Sequence, residues 1–408
     1  MNLFVEVASH SLNKYGEELC GDMVEVVRLS DCTIIVLADG LGSGVKANIL
    51  STLTSKIAAT MLKEGANLYD TVDTIVNTLP ICKIRNIAYS TFTLIKIYNN
   101  GDAYIAEYDS PPIFIIRNNE YLDFPKKEMI IDSKRVLESN IKLRPGDLLT
   151  VVSDGVIHAG LGEILNLGWQ WENVKDYLER RSHQNMSAQF IAKDLLEVCF
   201  DLYSGKPGDD TTVVSVGIKK PAYVDLFTGP SKDKSKDKYV IDQLMKAKGK
   251  RVICGGTAAN IVQRELNREL KVNLELINTD LPPTATMEGI DLITEGVLTL
   301  SRALDIIKSY FYPFYKMEEN KLILGKDAAS LLVKVLMECT HLNIWVGSAM
   351  NPAHQNPNLP VDLSIKLKLV EELAEYMKNL GKNVTINAIK FIYTVLRIII
   401  TNGNLNVA

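Results

Sequence analysis

The chain has 408 residues, more than one hydrophobic core usually supports, so two domains are expected. A net charge of −4, from 45 basic and 49 acidic residues, argues against a general nucleic-acid or membrane-surface binder. No apolar run reaches transmembrane length, and the N-terminus lacks a basic stretch followed by an apolar one. Cys20, Cys32, Cys82, Cys199, Cys254 and Cys339 show no paired spacing, so they read as reduced thiols in a cytoplasmic protein.

In chain order, residues 4–9 and 23–29 alternate as two strands around a polar turn containing Lys14-Tyr15-Gly16, with Gly21-Asp22 before the second. Residues 34–38 form a β-branched apolar run that ends in Asp39-Gly40. Leu41-Gly42-Ser43-Gly44 then leads into an amphipathic helix with its apolar stripe at Val45, Ile49, Leu53, Ile57 and Met61, widened by Leu50 and Leu62. A shorter helix is expected over residues 70–79, capped by Asp70. Asn99-Asn100-Gly101-Asp102 and Asn118-Asn119 each join two apolar runs as hairpin turns. Pro145-Gly146-Asp147 turns into the run 148–152, which ends in Ser153-Asp154-Gly155. Helices follow near 171–181 and 187–203, the second capped by Ser187. Gly208-Asp209-Asp210-Thr211-Thr212 precedes a last apolar strand, 213–216. This order is α+β and fits two stacked sheets with helices outside.

Four acidic positions therefore sit at the edges of strand-like runs. A carboxylate followed by glycine offers side-chain and carbonyl oxygens, the hard ligands that Mg²⁺ or Mn²⁺ prefers. Together the four could converge at one end of a sandwich and bind two divalent ions. Singly, Asp22 and Asp154 also read as turn residues, and Asp210 as a solvated neighbour of Asp209. His158 reads as an ordinary core or surface histidine before a catalytic acid, and Lys46 as a structural lysine on a partly solvated helix face.

The ordered set Gly21-Asp22, Ala38-Asp39-Gly40-Leu41-Gly42-Ser43-Gly44, Ser153-Asp154-Gly155-Val156 and Gly208-Asp209-Asp210-Thr211-Thr212-Val213 resembles the metal-dependent (PPM-type) protein serine/threonine phosphatases. It is most similar to the bacterial branch typified by the stage II sporulation protein E phosphatase domain. Tyr89-Ser90-Thr91-Phe92-Thr93 and Ser110-Pro111-Pro112 echo the same family. The resemblance covers residues 1–220 and implies a four-layer α-β-β-α sandwich. It also implies two Mn²⁺ or Mg²⁺ ions that activate a water for attack on phosphorus, with no reactive cysteine. By the same resemblance Asp39 would bridge both ions and the Gly40 carbonyl would bind one of them. Asp22 would act on the Gly40 side, Asp154 and Asp209 would complete the other ion, and Asp210 would support from behind. Catalysis would rest on Asp39, Asp154 and Asp209.

The chain departs from the broader family in two places. Leu41 stands where many members have histidine, and the first arginine is Arg28, where others use an N-terminal arginine to grip phosphate. Both features are commonly absent in the sporulation-type branch; Lys14 is a weak substitute for the grip. The implied substrate is a phosphoserine or phosphothreonine on a phosphorylated regulatory protein of the anti-anti-sigma type. No nucleic acid or membrane partner is expected. The alternative is a phosphatase-derived signalling or binding module whose second half senses a ligand while catalysis is vestigial.

Residues 221–238 include Ser-Lys-Asp-Lys-Ser-Lys-Asp-Lys and read as a linker or exposed loop. Residues 239–408 read as an α/β domain of unknown function, with regulation of the first half as one reading. Strands are expected at 251–254, 272–277, 343–346 and 383–386, and long helices at 297–309, 326–338 and 361–380. Gly255-Gly256-Thr257, between a strand and a helix, is either a tight connection or an anion loop. Residues 286–291 and 294–296 look loop-like and acidic.

Overall fold

The computed structural model describes residues 2–78, 90–131, 134–182, 187–231, 233–273, 283–309, 325, 327–347 and 365–389. Cys82, Tyr89 and the outer parts of the runs expected at 70–79, 272–277 and 361–380 lie outside them. The chain divides into two compact units, Met1–Lys220 and Pro221–Ala408. Among the described residues, no helix is long and apolar enough to cross a membrane.

In the first unit, one sheet pairs β1 (Phe4–Leu12), β11 (Thr211–Lys219), β10 (Leu148–Val152), β6 (Phe114–Arg117) and β7 (Glu120–Tyr121), in that order. The other runs β2 (Asp22–Arg28), β3 (Cys32–Gly40), β4 (Ser90–Tyr98), β5 (Asp102–Tyr108), β9 (Lys134–Lys142) and β8 (Lys127–Ile131). All pairings in these two sheets are antiparallel. Strand alternation sorts the side chains into layers. Ile35, Leu37 and Ile95 of one sheet meet Val5, Val7, Val151 and Val214 of the other in the central core. Ile34, Val36 and Leu94 face away and pack under α1 (Gly44–Lys63) and α2 (Leu68–Thr78). On the opposite outer face Ala8, Val152 and Val213 pack under α4 (Trp171–Ser182) and α5 (Ala188–Leu202). The result is four layers, helix–sheet–sheet–helix.

Both expected hairpins form. Gly101 turns at φ 97° between β4 and β5, and Asn118 and Asn119 take φ 53° and 70° between β6 and β7. The Ser187 hydroxyl caps α5 by accepting from Phe190 N at 3.2 Å. Asn67, not Asp70, caps α2: its Oδ1 accepts from Asp70 N at 2.8 Å. The β8–β9 hairpin had no clear signal, because its strands mix apolar positions with partly exposed charged residues such as Lys134, Arg135 and Glu138.

The buried face of α1 differs from the expected stripe. Ala47, Leu50, Ser51, Thr54, Ser55, Ala58, Ala59 and Leu62 face the sheet, and Val45, Ile49 and Leu53 are exposed. The helix lies too close to β3 for large residues: a Cβ added at Gly40 would overlap the Ala47 carbonyl oxygen. Small side chains let the backbones approach, and Ser51 and Thr54 hydroxyls are satisfied by carbonyls of their own helix.

The second unit is α/β. Its seven-stranded sheet runs β14 (Lys271–Val272), β15 (Ala285–Met287), β16 (Ile290–Thr294), β13 (Lys250–Cys254), β12 (Tyr223–Thr228), β17 (His341–Gly347) and β18 (Asn383–Ile389). α8 (Val297–Ser309), α9 (Ala328–Glu338) and α10 (Ile365–Asn379) cover one face. α6 (Asp237–Lys246) and α7 (Gly256–Leu266) cover the other.

Two expectations are corrected here. Residues 221–238 are not a linker: β12 lies mid-sheet, paired on both sides, with Val224, Leu226 and Phe227 buried, and α6 begins at Asp237. The charged run misled because it directly adjoins that short buried strand. Residues 286–291 are not a loop but reach into β15 and β16, where the Asp291 carboxylate accepts from Arg251 N.

Candidate metal centre

Asp22 opens β2 and Asp39 nearly closes β3, and the antiparallel register sets them directly opposite one another. Gly40 N donates to Gly21 O at 3.1 Å, extending that pairing to the strand ends. In the other sheet Val152 of β10 is opposite Val213 of β11. Ser153 N donates to Thr212 O at 3.0 Å, and Thr212 N donates to Ser153 Oγ at 2.9 Å. Asp154, after β10, and Asp209 and Asp210, before β11, are thereby held at one end of their sheet. A Cβ on Gly155 would overlap the Asp210 carbonyl oxygen, so this approach requires glycine.

The two sheet ends meet through the segment between β1 and β2. Lys14 N donates to Asp210 Oδ1 at 3.0 Å, and Tyr15 N to Pro207 O at 2.8 Å. On the other flank Ser43 Oγ donates to Glu17 Oε1 at 3.0 Å, and Asn48 Nδ2 to Cys20 O at 2.8 Å. Lys14 Nζ stands 3.9 Å from Asp209 Oδ1.

The electrostatics are those of crowded acids. Burial pushes the Asp39 carboxyl far above the usual carboxylate range, and the charges of Asp22, Asp154, Asp209 and Asp210 push it the same way. Asp22 is also raised, by burial first; the Thr212 and Ser153 hydroxyls counter this only in part. Thr212 Oγ1 bonds Ser11 Oγ, and both Asp22 oxygens remain buried without a hydrogen bond of good geometry. Asp210 Oδ2 is likewise buried and unsatisfied. Asp209 is raised by burial and by Asp154, and lowered by Lys14. Burial drives the half-buried Cys20 thiol up to about 12.

Orphaned carboxylate oxygens amid like charges are the donor set of a hard cation site, and the residues fit a divalent ion in that sense. Among the described residues, no three His, Cys, Asp or Glu side chains are already gathered closely enough to hold a metal ion. The arrangement brings Asp22, Asp39, Gly40, Asp154, Asp209 and Asp210 into one neighbourhood. Asp210 is more deeply engaged than its sequence context suggested, being buried while the Asp209 side chain is 43% exposed. His158 N bonds the Asp154 carbonyl oxygen at the end of α3 (Asp154–Ile157), and Lys46 is exposed on α1. The roles of Glu17 and Asn48 had no sequence signal, since their partners are distant in the chain. Gly255, Gly256 and Thr257 belong to the second unit, where Gly255 turns at φ 124° and Gly256 begins α7.

Residues 30–219 match the family model described as stage II sporulation protein E (SpoIIE). The N-terminal unit is a PPM-type, SpoIIE-like domain. Stage II sporulation protein E of Bacillus subtilis (strain 168) is 28% identical over 217 residues, 52% of this chain and 25% of that protein. The chain thus spans only a quarter of that relative's length. A solved structure of the PP2C phosphatase domain and a regulatory-domain fragment of SpoIIE from Bacillus subtilis is 25% identical. It covers 53% of this chain and 64% of that chain, with a TM-score of 0.46. RsbX in complex with magnesium is 15% identical, covering 53% of this chain and 96% of that chain, with a TM-score of 0.39. The family match ends at residue 219, so the second unit lies outside it and has no recognised family. The SpoIIE-like domain supports a phosphatase-like role for the first unit.

Proposed function

We propose that the SpoIIE-like domain is a Mn²⁺- or Mg²⁺-dependent phosphatase acting on phosphoserine or phosphothreonine of a regulatory protein, of the anti-anti-sigma kind. The observation that carries this reading is the pairing of Asp22 with Asp39 at one sheet end, beside Asp154 and Asp209 of the other sheet, with both Asp22 oxygens unsatisfied. Asp39, the Gly40 carbonyl and Asp22 would hold one ion, and Asp39, Asp154 and Asp209 a second. Bound there, divalent cations supply a water of lowered pKa and offset negative charge on the phosphoryl group.

The chain's own residues do the rest. Lys14 is tethered by its backbone to Asp210, and its ammonium offers a charge to phosphoryl oxygens beside Asp209. The segment from Lys14 to Gly21 ties both sheet ends together and fixes the spacing of the acids. The weak phosphate grip of a half-exposed Lys14 is the feature that favours a second reading, since Leu41 and the missing N-terminal arginine are common in the sporulation-type branch. In that reading the domain is a phosphatase-derived binding module with vestigial catalysis. Turnover of p-nitrophenyl phosphate and of a phosphorylated regulatory protein, with and without Mn²⁺, separates the two. Metal-dependent hydrolysis supports the enzyme; metal binding without hydrolysis supports the module.

A further inference from the structure

Five strands of the second unit are parallel, in the spatial order β16-β13-β12-β17-β18. β12 is first in the chain, and β13 and β16 extend the sheet to one side before β17 and β18 extend it to the other. The strand order therefore reverses between β12 and β17. Helices α6 and α7 lie on one face and α8, α9 and α10 on the opposite one. Chains leaving adjacent strands toward opposite faces open a crevice at the carboxyl ends, the place where open α/β sheets hold ligands.

Three residues mark that crevice. Gly229 follows β12 and turns at φ 73°. Gly347 ends β17 and lies so close that a Cβ on it would overlap the Pro230 carbonyl oxygen. Lys366, in the first turn of α10, lays its ammonium against Gly229, where a Cβ would overlap Nζ. Several other cations of this unit have carboxylate partners, among them Lys250 with Glu338, Arg264 with Asp237, and Lys308 with Glu372. No hydrogen bond or ion pair links Lys366 to any described residue, and burial lowers its pKa. A half-buried ammonium without an acid is costly, and an anion from outside would remove that cost.

We propose that the β12/β17 crevice binds a phosphate-bearing small molecule, with Lys366, seated against Gly229, supplying the charge. The same chemistry is offered by free phosphate and by a nucleotide. The reading is independent of the metal centre.

The test is equilibrium dialysis of the full chain carrying Asp39→Asn, in chelator, so that the first unit contributes least. Inorganic phosphate is one arm, and adenosine and guanosine monophosphates are the others. Saturable binding is expected, weakened about tenfold or more by Lys366→Gln and largely restored by Lys366→Arg. Equal affinity for phosphate and nucleotides identifies the phosphate group alone as the ligand; tighter nucleotide binding identifies a nucleotide. Lys366→Met serves as a second neutral variant should Lys366→Gln fold poorly, and must show the same loss. Absence of saturable binding in every arm, or binding unchanged in a folded neutral variant, overturns the proposal.

Discussion

Asp22 and Asp39 are register partners on adjacent strands, both buried or nearly so, and no hydrogen bond satisfies either oxygen of Asp22. Two carboxylates placed this way oppose folding unless a cation joins them. Asp39→Asn should therefore abolish Mn²⁺-dependent turnover while leaving the metal-free protein as stable as wild type, or about 1 kcal/mol more stable. Asp209→Asn should lose turnover as well. Paired turnover and thermal-melt measurements check this. If the Asp39→Asn variant keeps near-wild-type turnover at saturating metal, Asp39 leaves the ligand set.

Metal should stabilise the first unit by mass action. At Mn²⁺ about one hundredfold above its dissociation constant the gain is about 2.7 kcal/mol. Melting with and without Mn²⁺ should show an upward shift that Asp22→Asn reduces and chelator reverses. Chelation should also stop turnover, whereas thiol alkylation should not, because the proposed chemistry uses no cysteine. A melt insensitive to Mn²⁺ would contradict the site.

Lys14 gives a different readout, because it is proposed to orient substrate, not metal. Lys14→Ala should lower kcat/KM about tenfold, and Lys14→Arg should recover most of the loss. The Mn²⁺-induced melting shift should be unchanged in both. Steady-state kinetics alongside melts decide the matter; a lost metal shift would make Lys14 part of the structural frame.

Residues 1–220 should fold alone. Their core lies between their own two sheets and under their own long helices. The isolated fragment should show one cooperative melt with the Mn²⁺ shift intact. A soluble fragment without a cooperative transition would show that the boundary is wrong.

His10 predicts an acid-side loss of stability. It lies on β1 under α5, with its Nε2 at 2.7 Å from Gln189 Nε2, and burial, followed by the nearby Lys193 charge, lowers its pKa. The folded state binds this proton less readily than the unfolded chain, whose histidine titrates near 6.5. The contribution is therefore fully present above about pH 6.5 and declines as pH falls through that value. Glu197, on the same helix, stands 3.9 Å from Lys193 and offsets part of that charge. Chemical denaturation between about pH 5 and about pH 8 should show a weaker dependence of stability on pH in His10→Gln than in wild type. An unchanged dependence would exclude His10 as its source.

How much of this was legible beforehand differs from element to element. Asp39-Gly40 and Ser153-Asp154-Gly155 were legible because a short continuous apolar run that stops at a carboxylate and a glycine leaves a local trace. The Asn99 to Asp102 and Asn118-Asn119 turns were legible for the same reason, since left-handed backbone selects Asn and Gly at known positions. The ordered acidic motifs also carried the resemblance of the first half before any fold was in view. The facing of α1 was not legible. Its apolar stripe at Val45, Ile49 and Leu53 is a genuine helical pattern, yet close approach to β3 at Gly40 selects the small residues for burial. Nor was β12 legible, because six residues beside a charged run carry too little periodicity, and only pairing with β13 and β17 makes them a central strand. Lys14 beside Asp209 and Lys366 against Gly229 join positions far apart in the chain. Sequence determined which chemical groups were available, through local patterns of backbone preference and polarity. Tertiary structure alone decided which of them meet, because that depends on how sheets stack and strands cross over.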